Sequence, residues 1–445
     1  MKSDLVEKDR KYLWHPYTQM KDYEKDGHIL LERAEGIRLY DDRGRVFLDT
    51  VSSWWCNIHG HNHPAINKAL RDQMERLDHV MFAGFTHEKA IVLAEKLLEI
   101  SPSNLTKVFY SDNGSTACEV ALKMSYQYWK NVGMEKKEKF ISLELGYHGD
   151  TIGAMSVGGI PLFQEKFAGL LFPAWKAPSP YCYRCRFGRE KDKCSLECIG
   201  PLEEMFREKN EEIAGLILEP LLQAAGGMII YPVEYLKKVA ELSRTYRVHL
   251  ILDEVATGFG RTGKMFALEH AGIKPDFLCV SKGLTSGTLP LAATLTTDEI
   301  YRAFCNDSAK DKTFYHGHTY TGNPLATAVA VASLQIFEDE KVLERISGLI
   351  PHFHLEMKKF KSLPIVGDVR CLGMVGALEI VKDKKTKTLF PAEEGMGRKI
   401  YQEGLKAGLI LRPLGPIVYF FLPLCIKPEE ISDVLERTYE ILSRL

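Results

Sequence analysis

Two short apolar runs in this chain each end on a charged residue that could do chemistry. Leu250-Ile251-Leu252 runs into Asp253, and the glycine-broken turn Thr257-Gly258-Phe259-Gly260-Arg261 follows. A carboxylate at the carboxyl end of a buried strand can pair with a cationic ring nitrogen and keep it protonated, which makes a pyridine ring an electron sink. An isolated Asp there would equally serve to cap the next helix. Twenty-nine residues later, Phe277-Leu278-Cys279-Val280 runs into Ser281-Lys282-Gly283. An ammonium at a buried strand end is costly, so its pKa should fall, and a neutral amine can attack an aldehyde to give an imine. Most lysines are solvated surface charges. Lys282 gains weight by following Asp253 at one strand's remove.

Other positions could hold an anion or a substrate. Asn113-Gly114-Ser115-Thr116 breaks a strand and opens a helix, so backbone N–H groups and the Ser115 hydroxyl could cradle a phosphate, or could simply cap that helix. Gly146-Tyr147-His148-Gly149-Asp150 places an aromatic ring and an imidazole at another strand end, and the polar loop His316-Gly317-His318-Thr319-Tyr320 could also meet a phosphate. Trp54-Trp55 offers a flat apolar wall with N–H handles, or a core-packing pair. Arg412 suits bidentate capture of a carboxylate, with a surface salt bridge as the alternative. Cys182, Cys185, Cys194 and Cys198 are spaced C-x2-C-x8-C-x3-C, compatible with a tetrahedral structural zinc, with free thiols, or with adventitious disulfides. Four thiolates would leave a zinc no open position for catalysis. The other six of the ten cysteines are scattered singly and read as reduced core residues.

These residues need elements to position them. From about 60 to 325, helical patterns such as Ala117–Val132 and Val233–Tyr246 alternate with short apolar runs: Val108–Tyr110, Phe140–Leu143, Ala214–Leu218, Leu250–Leu252 and Phe277–Val280. Continuous apolar runs are the mark of strands buried on both faces, so the fold class is α/β with a mostly parallel sheet. Ligands of such sheets bind beyond the carboxyl ends of the strands, where most of the motifs fall. Residues 1–60 read as an amino-terminal segment with strands at Gly36–Tyr40 and Val46–Asp49, joined through the turn Asp42-Arg43-Gly44. Residues 61–325 form the large α/β domain, and 326–445 a smaller α+β domain that opens with a helix, Ala326–Phe337. That last domain carries strands near Gly376–Ile380 and Ile417–Leu422 and a closing helix over Pro428–Leu445. No flexible linker marks the boundary at 325, so the lobes should pack tightly.

Composition narrows the classes. The chain has 445 residues, 45% hydrophobic and 26% charged, enough to bury a large core. With 58 basic and 59 acidic residues, a net charge of −1 gives no electrostatic case for nucleic acid or an anionic membrane. Met1–Arg10 lacks the apolar core of a signal peptide, and no apolar stretch reaches the ~18–20 residues that span a bilayer. A cytoplasmic enzyme acting on small molecules is the expectation.

Taken together in this order and spacing, Gly114-Ser115, Tyr147-His148-Gly149, Asp253, Ser281-Lys282-Gly283 and the Thr319 loop resemble the class III aminotransferases of pyridoxal-phosphate fold type I, over essentially the whole chain. The resemblance implies a small domain built from both chain ends, and pyridoxal phosphate joined to Lys282 as an imine. Asp253 would hold the pyridine nitrogen, Tyr147 would stack on the ring, and Gly114 and Ser115 would bind phosphate. His318 and Thr319 would reach that phosphate from the neighbouring subunit of a homodimer. Tyr17, in Trp14-His15-Pro16-Tyr17, together with Trp54-Trp55 and Arg412, is similar to the branch of the class that makes 7,8-diaminopelargonate in biotin synthesis. That branch would place Tyr17, Trp54, Trp55, Tyr147, Gly317 and Arg412 around the substrate, with Asp150 and Arg261 in support. It implies ping-pong transfer to 7-keto-8-aminopelargonate, with S-adenosylmethionine as donor and lysine as the alternative. An aromatic wall could stack an adenine or shield a sulfonium, worth roughly 0.5–2 kcal/mol. A 4-aminobutyrate or ornithine type of ω-aminotransferase, or a silent relative that only binds the cofactor, are the competing readings.

Overall fold

The computed structural model describes residues 2–25, 28–190, 193–306 and 310–445, with residues 2, 3 and 310 described through their backbone alone. At the amino-terminal end β1 (Leu31–Glu35), β2 (Arg38–Asp41) and β3 (Val46–Leu48) form an antiparallel sheet. The expected turn joins β2 to β3, fixed by Asp41 Oδ1 accepting the N–H groups of Arg43 and Arg45 at 3.0 and 2.8 Å. The sequence reading passed over β1 because Leu-Glu-Arg-Ala-Glu shows no apolar alternation, and four of its five residues are exposed.

The apolar runs of the middle region become strands of one seven-stranded sheet. In chain order these are β4 (Leu105–Ser111), β5 (Lys139–Leu143), β6 (Trp175–Ala177), β7 (Ile213–Leu218), then β10 (His249–Asp253), β11 (Phe277–Val280) and β12 (Ala292–Thr297), with a small ribbon of β8 (Leu222–Gln223) and β9 (Ile229–Ile230) between. The spatial order is β4-β12-β11-β10-β7-β5-β6, and only β12 runs against the rest. The link from β11 to β12 carries a single turn of helix, Lys282–Thr285, which is too short for the crossover that parallel pairing needs. All six residues of β7 are buried, because both sheet faces are covered. On one face the helix Gly114–Asn131 packs Ala117 and Ala121 against Ile217 and Ile251. Each Leu or Ile sealed this way contributes about 1.5–3 kcal/mol.

That helix begins three residues before the expected Ala117. Asn113 Oδ1 accepts the Thr116 N–H at 3.0 Å while Thr116 Oγ1 accepts the Asn113 N–H at 3.2 Å, a reciprocal cap that starts the helix at Gly114. The later helices fall where the periodicity put them, at Val233–Thr245, Pro324–Asp339 and Pro428–Ser443. β13 (Val366–Leu372), β14 (Val375–Ile380) and β15 (Ile417–Phe421) form the carboxy-terminal sheet. The two chain ends meet directly: Leu48 N–H donates to Gly408 O at 2.8 Å, and Ile410 N–H donates to Leu48 O at 3.0 Å. Among the described residues no helix is long and apolar enough to cross a membrane.

Candidate active site

Because β4, β5, β7, β10 and β11 run the same way, Ser111, Leu143, Leu218, Asp253 and Val280 end at one edge of the sheet. A cavity of ≈ 470 Å³ opens there, and Gly114, Ser115, Tyr147, Asp150, Asp253 and Lys282 all line it, with Trp55. Asp253 is 4% exposed at the last position of β10. Its Oδ1 accepts the Val255 N–H at 3.0 Å, and its Oδ2 faces His148 Nδ1 at 2.8 Å and accepts from Cys118 Sγ at 3.5 Å. The other ring nitrogen, His148 Nε2, is buried and has no hydrogen-bond partner among the described residues.

Lys282 follows β11 with a left-handed φ of 45°, and Ser281 before it is pinned by its hydroxyl, which donates to Leu291 O at 2.8 Å. The amino group lies 4.7 Å from the centre of the Trp55 ring. Burial lowers its pKa, while the carboxylates of Asp253 and Glu219 pull the other way. Sequence reasoning missed Glu219, which sits just past β7 with 4% exposure. Its oxygens accept the N–H groups of Ala224 at 2.8 Å and Tyr147 at 3.0 Å. Burial and the charge of Asp253 push its carboxyl up to about 8. The signal was available, since Leu216-Ile217-Leu218-Glu219 repeats the apolar run and carboxylate that marked Asp253.

At the opposite end of the cavity, the first turn of the Gly114–Asn131 helix presents its N–H groups. A Cβ on Gly114 would fall 2.4 Å from Val255 Cγ1, so the helix start presses against this wall only as glycine. Ser115 Oγ accepts the Thr151 N–H at 3.0 Å and lies 2.8 Å from Thr151 Oγ1.

A second cavity of ≈ 980 Å³ shares Trp55, Tyr147, Asp150 and Lys282 with the first and adds Tyr17, Trp54 and Arg412. Tyr17 donates its hydroxyl to both oxygens of Asp150, at 2.7 and 2.8 Å, and lies 3.4 Å from the Tyr147 hydroxyl. Burial, joined by Asp150, raises the Tyr17 phenol to about 12, so it remains a donor at neutral pH. The Arg412 guanidinium stacks 4.0 Å above the Trp54 ring, and Tyr17 meets the same ring edge-on at 5.6 Å.

The tryptophan pair does not form one wall. Ser52, Ser53, Trp54 and Trp55 all have positive φ, between 44° and 76°. Left-handed residues cost roughly 1–2 kcal/mol each, and the turn is held by Asp49, which accepts from the Ser53 N–H at 2.8 Å and the Ser53 hydroxyl at 2.7 Å. This backbone turns the two rings apart. Trp54 is 38% exposed beside Arg412, whereas Trp55 is 4% exposed under Lys282, with its Nε1 donating to Tyr419 at 3.2 Å.

Four of the expected cofactor and substrate residues lie outside both cavities. Arg261 is fully buried and donates to Leu422 O, Asn57 O (3.3 Å) and Ser52 Oγ (3.4 Å), so it braces the left-handed turn from behind. Gly317 and Thr319 are exposed, and His318 between them is part-buried, with its Nε2 4.0 Å from Asp112 Oδ1. Cys182, Cys185, Cys194 and Cys198 line a separate small cavity. Tyr181, Arg184 and Glu379 line the larger cavity and were not singled out from sequence. Glu379 was visible as the one charged residue in the apolar run of β14.

A buried amine of lowered pKa, a carboxylate held at a strand end, an anion-binding helix start and an arginine-capped apolar wall fit an aldehyde-bearing phosphorylated pyridine and a carboxylate substrate. Comparison with known proteins agrees. The family described as aminotransferase class-III matches residues 20–442. The adenosylmethionine-8-amino-7-oxononanoate aminotransferase of Geobacter sulfurreducens is 48% identical over 96% of this chain and 95% of its own. The crystal structure of the protein of that name from Methanocaldococcus jannaschii superposes with a TM-score of 0.94 at 44% identity, covering 100% of this chain and 99% of its own. An amine transaminase from an uncultivated Pseudomonas species, in its PLP-bound form, superposes with a TM-score of 0.93 at 32% identity over 97% of this chain and 98% of that one.

Proposed function

The chain belongs to the class III aminotransferase family, and from that premise we propose that it converts 8-amino-7-oxononanoate (7-keto-8-aminopelargonate) to the 7,8-diamino acid of biotin synthesis. Pyridoxal phosphate is the cofactor and S-adenosylmethionine the amino donor in this reading. One observation carries it: Tyr17, Trp54 and Arg412 share a cavity with Lys282, in a chain whose relatives of that name match it over nearly their whole length.

Pyridoxal phosphate, when bound, supplies an electron sink at the carbon that gives or receives the amino group. Asp253 holds the pyridine nitrogen protonated, and His148 keeps the carboxylate aimed at it. Lys282 would hold the cofactor through its amine and would move a proton at the reacting carbon, a role its lowered pKa suits. Gly114 and Ser115 receive the phosphate at the helix start. Tyr147 covers the ring, and Trp55 keeps water from the lysine. Arg412 takes the carboxylate of the long apolar keto acid, while Tyr17 and Trp54 form the walls and Asp150 orients Tyr17. Donor and acceptor use the same cavity in turn.

The same reading makes the protein a cytoplasmic homodimer in which Gly317, His318 and Thr319 serve the partner subunit's site. Their position outside this chain's own cavities supports it, as do exposed Met81, Phe85 and Tyr320, since the Gly322 carbonyl is 2.6 Å from His87 Nε2 and the Tyr320 ring 5.5 Å from His79. Residues 61–325 are assigned to the cofactor-binding domain, and 1–60 with 326–445 to the small one.

The test is to incubate the cofactor-loaded enzyme with 8-amino-7-oxononanoate and either S-adenosylmethionine or lysine, then measure the diamino product by mass spectrometry. Product with S-adenosylmethionine is expected. Product with lysine alone would change the donor, and turnover of 4-aminobutyrate without diamino product would overturn the assignment.

A further inference from the structure

We propose that Tyr181, Arg184 and Glu379 form the end of the substrate cavity that receives the nucleoside of the amino donor, an uncharged planar group, while Arg412 receives carboxylates. This assignment deepens the function proposed above and rests on its choice of S-adenosylmethionine as donor.

Two guanidinium groups in different electrostatic states line the cavity of ≈ 980 Å³. Arg412 lies over the Trp54 ring at 4.0 Å and has no carboxylate partner among the described residues, so its charge is available to an anion. Arg184 is already paired. Its Nε donates to Glu379 Oε1 at 2.5 Å and its Nη2 donates to Lys387 O at 3.0 Å. Glu379 is 1% exposed and also accepts from the Tyr181 hydroxyl and, at 3.0 Å, from Arg370 Nη1. Arg370 Nη1 donates to a second carboxylate, Asp368, at 2.8 Å. Two guanidiniums against two carboxylates leave this end with no net charge to draw an anion. It offers instead a phenol ring, a flat guanidinium of the kind that stacks on aromatic faces, and Arg184 Nη1, which has no hydrogen bond among the described residues.

The sheet sets this end apart from the reacting amine. Lys282 lies over Trp55, and the Trp55 ring meets Tyr419 and Phe421 of β15 at 6.2 and 5.6 Å. Alternate residues of a strand share a face, so Ile417 follows on that face, past Tyr419 and away from Phe421. Glu379 stands opposite Ile417 as Ala377 stands opposite Tyr419, one step of roughly 6.4–6.8 Å further from the lysine.

The two substrates differ in what they carry beyond the reacting carbon. The acceptor ends its apolar chain in a carboxylate. The donor has its carboxylate on the reacting carbon itself, and its distal group is adenosine, joined through sulfur. A cavity used by each in turn needs one anchor for an anion and another for a neutral, planar, hydrogen-bonding group. The unpaired Arg412 and the neutralised Arg184 divide those tasks. Bracing of the wall belongs to Arg370, whose Nε and Nη2 donate to Met228 O and Gly227 O at 2.7 Å each.

The cofactor changes absorbance as it gains or loses the amino group, so each half-reaction can be followed alone. Arg184→Ala leaves Arg370 on Glu379 and removes the charged donor. It should raise the S-adenosylmethionine concentration for half-maximal rate about tenfold, and that for 8-amino-7-oxononanoate less than about twofold. Arg184→Lys keeps the charge without the planar fork, should behave like the alanine variant, and carries the test if that variant does not fold. Calorimetry with 5′-methylthioadenosine, which has the nucleoside but neither amine nor carboxylate, should show binding to the cofactor-loaded wild type and about tenfold weaker binding to Arg184→Ala. Equal shifts in both half-reactions, an unchanged donor half-reaction, or no binding of that nucleoside to the wild type would each overturn the inference while leaving the transamination of 8-amino-7-oxononanoate intact. If lysine proves to be the donor and the nucleoside still binds through Arg184, the site stands and only the choice of donor fails.

Discussion

His148 Nδ1 lies 2.8 Å from Asp253 Oδ2 across 105 residues of sequence, with both side chains nearly sealed from solvent. The carboxylate is therefore already oriented for the ring nitrogen proposed for it, with one oxygen held by the imidazole and the other by the Val255 N–H. Replacing Asp253 with Asn should leave cofactor bound but lower kcat by about 100-fold or more, because a preorganised charge is lost. His148→Phe should cost about tenfold, in the range seen when an outer partner is removed. Steady-state rates with the cofactor spectrum recorded beside them check both, and an Asn variant of wild-type activity would remove Asp253 from the mechanism.

Lys282→Ala should abolish transamination. Borohydride should no longer fix the cofactor to the chain, since the amine next to Trp55 is the proposed attachment point. A reducible link surviving in that variant would show that another lysine is used.

The wall residues separate binding from chemistry. Arg412→Ala removes a charge-assisted contact worth about 1.5–3 kcal/mol, so KM for the keto acid should rise roughly 10- to 100-fold with kcat little changed. Tyr17→Phe leaves both oxygens of Asp150 without their donor and should raise KM for both substrates. An unaltered KM in Arg412→Ala would place the carboxylate elsewhere, and one in Tyr17→Phe would remove Tyr17 from the substrate wall.

Glu219 makes the stability of the cofactor-free protein depend on pH. Its carboxyl rises from an ordinary 4.5 to about 8 in the folded state, so the folded protein holds that proton more tightly than the unfolded chain. The resulting stability is complete below pH 4.5 and is lost as pH rises towards 8, at up to about 1.4 kcal/mol per pH unit. Thermal melts of Glu219→Gln between pH 5 and 8 should fall less steeply than those of the wild type. Parallel curves would mean that Glu219 stays ionised in the folded protein.

The proposed sharing of active sites between two subunits predicts complementation. A Thr319→Arg variant should bind phosphate poorly, and Lys282→Ala should be inactive. Mixed dimers, formed by unfolding and refolding the two together, would contain one site with both residues intact and should recover activity. No recovery, with mixed dimers present by native mass spectrometry, would place Thr319 outside the site.

The sequence by itself determined the sheet and the charged residues placed at its edge. Continuous apolar runs have to be buried on both faces, and the charged residues that end them, Asp253 and Lys282, have to lie at one edge once the strands run parallel. Chain neighbours and strand periods are local properties, so these features were legible. Glu219 repeated the same pattern and could have been read the same way. The tertiary structure decided what depends on distant partners. Asp49 and Phe421 hold the left-handed turn that sends Trp54 to the substrate wall and Trp55 beneath the lysine. Arg261 is drawn onto carbonyls of Asn57 and Leu422 and lines neither cavity. Arg184 and Tyr181 reach the cavity because a buried carboxylate nearly two hundred residues away receives them. Backbone handedness and buried pairing are set by what packs around a residue, and a linear pattern carries no record of that.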